Sequence, residues 1–157
     1  MHTVVATVFP DEAHAKEAFR RLQDVGVSGD DIGLVMREEV SQEQRDQKLN
    51  IEAHKWAGAS AGAVAGAAAG AAIAIPMVGP VLALGALAAA ILSAAGGTVG
   101  WLAGGLVAHG FRHDEARFYQ QAVEEGSVLM TVKTDEQNME RVRSVLRICD
   151  GREYRAA

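Results

Sequence analysis

His109 and His113 stand four residues apart, a spacing that on one continuous helix would present two imidazoles to the same metal ion, with Asp114 or Glu115 beside them. Gly110 lies between the two histidines and no third ligand follows at a fixed interval, so boundary histidines are the plainer reading. His2, His14 and His54 are scattered and read as solvated side chains. Ser60 and Ser93 sit among small residues without a base at a useful spacing, so hydrogen bonding within or between helices is expected of them rather than nucleophilic catalysis. Cys149 follows an apolar stripe and reads as a packed thiol. No glycine run ends in Gly-Lys-Ser or Gly-Lys-Thr, so a phosphate loop has no support. Arg141, Arg143 and Arg147 would suit lipid headgroups, yet Asp135, Glu136 and Glu140 dilute that patch and a solvated helix face is the expected reading. No catalytic, metal or cofactor residue is therefore assigned, and the chain reads as a non-enzymatic protein.

The elements that would position these side chains fall into three materials. Residues 1–55 carry 7 basic and 11 acidic groups, residues 56–108 carry none, and residues 109–157 carry 8 basic and 9 acidic groups. The net charge of -5 argues against a phosphate-backbone binder, because such proteins present clustered positive charge. A single cysteine excludes an intrachain disulfide, so a reducing cytoplasm is the expected setting. The opening "MHTVVATVFPDE" has neither a basic leader nor a long apolar core, and a secretory signal is not expected in it.

The two charged ends are related. "VVATVFPDEAHAKEAFRRL" aligns without a gap on "VLMTVKTDEQNMERVRSVL" at an offset of 124, which places Thr7-Val8 on Thr131-Val132, Asp11-Glu12 on Asp135-Glu136 and Leu22 on Leu146. Each copy reads as a strand and an amphipathic helix: Ala15, Ala18, Phe19 and Leu22 form one stripe, and Met139, Val142, Val145 and Leu146 the other. Asp11 is the expected N-cap of the first helix and Gly26 its stop, while Thr134 with Gln137 has the spacing of a capping box. "IGLVM" at 32–36 predicts a second strand, and a weaker one is expected around "REYRA". A further helix is expected from "RHDEARFYQQAVEEGS", with Ala116, Tyr119, Ala122 and Val123 on one face and Gly126 at its end. The expected fold class is α+β: a ferredoxin-like split βαβ sandwich with helices on one sheet face, interrupted by a long apolar helical hairpin. Its parts are a first βαβ half over 1–40, a connector over 41–55, the hairpin over 56–108, and the extra helix and second βαβ half over 109–157.

The hairpin is read from its glycines. Gly58, Gly62, Gly66 and Gly70 recur every four residues, nearly in line on a helix, and leave a groove for a second backbone. Gly85 and Gly97 with the intervening Ala89 and Ser93 repeat the interval, and Gly100 and Gly104 add to it. Pro76, Gly79 and Pro80 in "IPMVGP" mark the turn, since proline removes an amide donor and glycine admits unusual backbone angles. Folding there brings Trp56 and Trp101 to one level, as at a bilayer interface. Each arm of roughly 20 residues would be about 30 Å long, the thickness of a hydrocarbon core. Against a simple span, Ala57–Ile75 is mostly alanine and glycine, and the turn has no charged residue to meet water on the far side.

The opening "TVVATVFPDEAHAKEAFRRLQDVGVSGDDIGLVMR", the "IPMVGP" turn within its glycine-spaced insertion, and the closing "HDEARFYQQAVEEGSVLMTVKT" together resemble the small bacterial general-stress and low-temperature-induced proteins. That resemblance implies a ferredoxin-like domain interrupted by a hydrophobic hairpin, with a role in stress and no enzymatic activity. The leading expectation is a membrane-associated stress protein whose hairpin inserts from the cytoplasmic face of the inner membrane and drives homo-oligomer formation. The alternative is a soluble self-assembling particle in the cytoplasm, its hairpins packed in an apolar interior that encloses a hydrophobic guest. A third class, a small-molecule sensor, rests on fold analogy alone.

Overall fold

The computed structural model describes residues 2–37, 71–75, 79–94 and 100–155. Among them the chain is a mixed α+β structure, with an antiparallel sheet in the order β1-β5-β2-β4-β3. These strands are β1 (His2–Phe9), β2 (Ile32–Arg37), β3 (Ala71–Ile75), β4 (Gly79–Leu84) and β5 (Val128–Asp135). The helices are α1 (Glu12–Asp24), α2 (Ala86–Ser93), α3 (Ala103–Ala108), α4 (His113–Glu124) and α5 (Glu136–Ile148).

The internal repeat is visible in space. β1 and β5 pair antiparallel from His2↔Asp135 to Phe9↔Val128, and β5 pairs β2 on its other side. Asp11 caps α1 by accepting from the His14 amide at 2.9 Å, and Asp135 caps α5 by accepting from the Asn138 amide at 2.8 Å. The two caps are the aligned positions of the repeat. For the second helix this corrects the expected Thr134 cap, because the carboxylate one residue later reaches the third amide of the helix and also suits its dipole. Leu22 and Leu146, also aligned, are both fully buried.

Helices cover both faces of the sheet rather than the one expected. On one side α1 and α5 pack with Val5, Phe9, Leu34, Met130 and Val132. On the other, Ala6, Val8, Val35 and Leu129 meet α2, α3 and α4 through Leu87, Ile91, Leu102, Leu106 and Tyr119. The reason lies in the strands: five consecutive residues of β1 and five of β5 are buried, a run that only a sheet covered on both faces accommodates.

The long helical hairpin expected over 56–108 is not what the described part of that segment forms. Ala71–Ile75 and Gly79–Leu84 are paired strands, with Ile75 opposite Gly79, and β4 continues the sheet by pairing β2 from Leu34↔Leu84 to Arg37↔Val81. β3 and β4 are therefore antiparallel neighbours rather than two arms of a helical hairpin. Pro80 lies just before the first β2-paired residue, where a strand tolerates a missing donor. Val81 and Ala83 point to the α2–α4 side and Leu84 to the α1–α5 side, the alternation of a strand. Burying one large aliphatic side chain contributes about 1.5–3 kcal/mol. Val81, Leu87, Ile91, Leu102 and Leu106 gain this inside the domain, so the sheet face competes with lipid for the residues that made the second arm hydrophobic.

The connector and the first glycine ladder lie outside the described residues, as do Trp56, Gly58, Gly62, Gly66, Gly70, Pro76 and Gly97. Among the described residues no helix is long and apolar enough to cross a membrane.

Candidate functional site

The residues with chemical potential are placed apart. His109 follows the end of α3, with its Nδ1 2.9 Å from the Gly105 carbonyl, whereas His113 begins α4. Gly110, at φ +94, breaks the helix between them, so the two imidazoles are not on one helix. Among the described residues no group of three His, Cys, Asp or Glu side chains is arranged for a metal ion. The Ser93 hydroxyl donates to the Ala90 carbonyl at 2.9 Å, a bond within its own helix turn. Cys149 is a buried free thiol whose pKa is pushed up by burial, with Arg21 acting weakly in the opposite direction.

The glycines of the middle segment have other tasks than a helix groove. Gly85, expected within a helix, turns the chain from β4 into α2 at φ +95, where a Cβ would lie 2.4 Å from the Ile32 carbonyl oxygen. Gly100, at φ +124, precedes α3, and Gly104 is half-buried within it. Close approach of two helix backbones does occur, at a residue the spacing did not single out. A Cβ on Gly105 of α3 would lie 1.8 Å from the Ile91 carbonyl oxygen of α2, so only glycine fits there.

Trp101, expected as a bilayer anchor, is half-buried and donates its indole N–H to Glu124 Oε1 at 2.9 Å. Gln120 donates to the same carboxylate at 3.1 Å and accepts the Leu102 and Ala103 amides at 3.2 and 3.0 Å, so side chains of α4 satisfy the open start of α3. Sequence spacing gave no signal for this network, because its partners meet only when α3 and α4 pack.

At the free side of β1, Tyr119 donates its hydroxyl to the Ala6 carbonyl at 2.8 Å and accepts the Tyr154 amide at 3.1 Å. Burial holds its phenol well above the usual range. Val8 and Arg152 exchange both backbone bonds at 3.0 and 2.9 Å, which among the described residues is all that forms of the strand expected around "REYRA". Tyr154 donates its hydroxyl to Asp114 at 2.9 Å; this bond lowers the Asp114 pKa and raises that of the phenol.

Two clefts share Phe118 on this side of the molecule. One, of about 410 Å³, is lined by Phe118, Arg147, Arg152, Glu153, Tyr154 and Arg155. Its neighbour is lined by His113, Asp114, Arg117, Phe118 and Gln121. The Phe118 and Tyr154 rings lie 5.7 Å apart between them. A third cleft, of about 260 Å³ where β5 runs into α5, has mixed charge, with Lys133 and Arg141 lining it together with Asp31 and Asp135.

No family model, no curated protein and no solved structure matches this chain.

Proposed function

We propose that the chain is a non-enzymatic, membrane-associated protein of the bacterial stress kind. In this reading a ferredoxin-like domain carries a glycine-spaced segment that holds copies to one another and to the cytoplasmic face of the inner membrane. The ferredoxin-like reading rests on strand order: the Arg152 bridge, β1, β5 and β2 follow one another as in two interleaved βαβ units, with β4 and β3 added beyond β2. The observation that carries the functional reading is the charge map, in which residues 56–108 contain no Asp, Glu, Lys or Arg. The domain core uses the later part of this segment, through Val81, Leu87, Ile91, Leu102 and Leu106. The earlier part, "WAGASAGAVAGAAAG", adds nothing charged and keeps a glycine at every fourth position, the pattern that favours close helix association where lipid replaces water. The resemblance of the chain ends to general-stress proteins points the same way.

A soluble assembly is the second reading. The observation favouring it is that the more hydrophobic half of the segment is folded into the domain interior, which reduces the apolar surface left for a bilayer.

Both readings assign self-association to the glycine spacing, and that assignment is directly testable. Replacing Gly62 and Gly66 with leucine fills the groove and is expected to reduce the particle size measured by light scattering after size exclusion. The far-UV circular dichroism of the α+β domain is expected to stay the same. An unchanged particle size would contradict the role of the spacing.

A further inference from the structure

We propose that the cleft between α4 and the carboxyl-terminal segment is a docking face for anionic phospholipid headgroups. The proposal rests on the membrane reading above and names the lipid chemistry that the domain itself recognises. Arg147, Arg152 and Arg155 line one cleft with Phe118 and Tyr154, and Arg117 lines the adjoining one across the same phenylalanine. None of these four arginines forms an ion pair among the described residues. Of the carboxylates nearby, Asp114 takes the Tyr154 hydroxyl and Arg112, while Glu153, which lines the cleft, faces Arg143 at 3.6 Å with its Oε1 left without a hydrogen-bond partner. A chain of net charge -5 thus presents one face on which four arginines outnumber the carboxylates of Asp114 and Glu153, bordered by two aromatic rings.

Guanidinium groups match phosphate oxygens in geometry, and aromatic rings of mixed polarity favour the headgroup level of a bilayer. One observation selects a lipid surface over a free phosphate. The positive charge extends over two adjoining clefts rather than closing around one anion.

The test is co-sedimentation of the full chain with vesicles of phosphatidylcholine alone and with vesicles containing phosphatidylglycerol. The wild type is expected to prefer the anionic vesicles, and added salt is expected to weaken that preference. The variant R147Q/R152Q/R155Q is expected to lose on the order of a hundredfold in partitioning to them, since each basic residue near such a surface adds severalfold. A charge-matched variant away from the face, R20Q/K133Q/R141Q, is expected to keep most of the preference, and circular dichroism checks that both fold. Equal loss in both variants would overturn the proposal, because net charge alone would then explain the binding. So would displacement by inorganic phosphate at matched ionic strength, or tighter retention of a single-stranded RNA than of vesicles. Binding to neutral vesicles reports the apolar segment separately. If it persists without anionic preference, the docking face is wrong and the membrane reading stands. If anionic preference survives without neutral binding, the face stands and membrane attachment through the apolar segment falls.

Discussion

His14 lies in the first turn of α1, with Nδ1 2.7 Å from Asp11 Oδ1 and Nε2 3.5 Å from Asp150, which follows α5 at φ 62. The contact ties the start of one repeat to the end of the other. Its hydrogen bond to Asp11 raises the imidazole above its ordinary 6.5 against burial, the next largest effect, and the charges of Asp11 and Asp150 add to the rise. Asp11 moves the other way, below 3.8, chiefly because it accepts the His14 amide and then its ring N–H. The signs define a window. The histidine's contribution to stability is complete below about pH 6.5 and is lost as pH rises through its raised value. The aspartate's contribution is present above 3.8 and is lost as pH falls through its lowered value. All three groups are largely exposed, so the effect on stability is small. A proton NMR titration is expected to place His14 above 6.5, and Asp150→Asn to bring it part of the way back. A midpoint at or below 6.5 would show that the contact does not form in solution.

At the scale of elements, the sheet and its covering helices meet at glycines. Gly105→Ala places a methyl group against the Ile91 carbonyl, and α2 and α3 must separate to admit it. A loss of about 1–3 kcal/mol is expected, as for overpacked cores, and urea unfolding with an unchanged slope would measure it. Stability equal to wild type would mean that the two helices do not pack as described. The repeated halves were legible because their signals are local: alternating valines, an aspartate before each helix, and stripes at helical spacing. Residues 71–84 were not. Alanine, glycine and isolated aliphatics fit a buried strand or a buried helix equally well, and β4 is a strand because β2 offers it an open edge far away in sequence. The same limit hid Gly105 among its neighbours and kept the Arg147–Arg155 face from view. Arg147 lies on α5, whereas its partners in the cleft come from the carboxyl-terminal segment and from α4.

For the whole molecule, the proposed function gives the domain and the glycine-spaced segment separate tasks. The domain takes Val81, Leu87, Ile91, Leu102 and Leu106 into its interior and leaves unpaired arginines on one side, while the sequence over residues 56–70 is uncharged and rich in small side chains. Attachment of that segment to a bilayer is the central claim, and fractionation of a detergent-free lysate by ultracentrifugation tests it most directly. The account predicts that the protein pellets with membranes, resists carbonate extraction and is released by detergent. Recovery in the supernatant as a particle far larger than the 16.5 kDa chain would contradict it and would assign the same glycines to the interior of a soluble assembly.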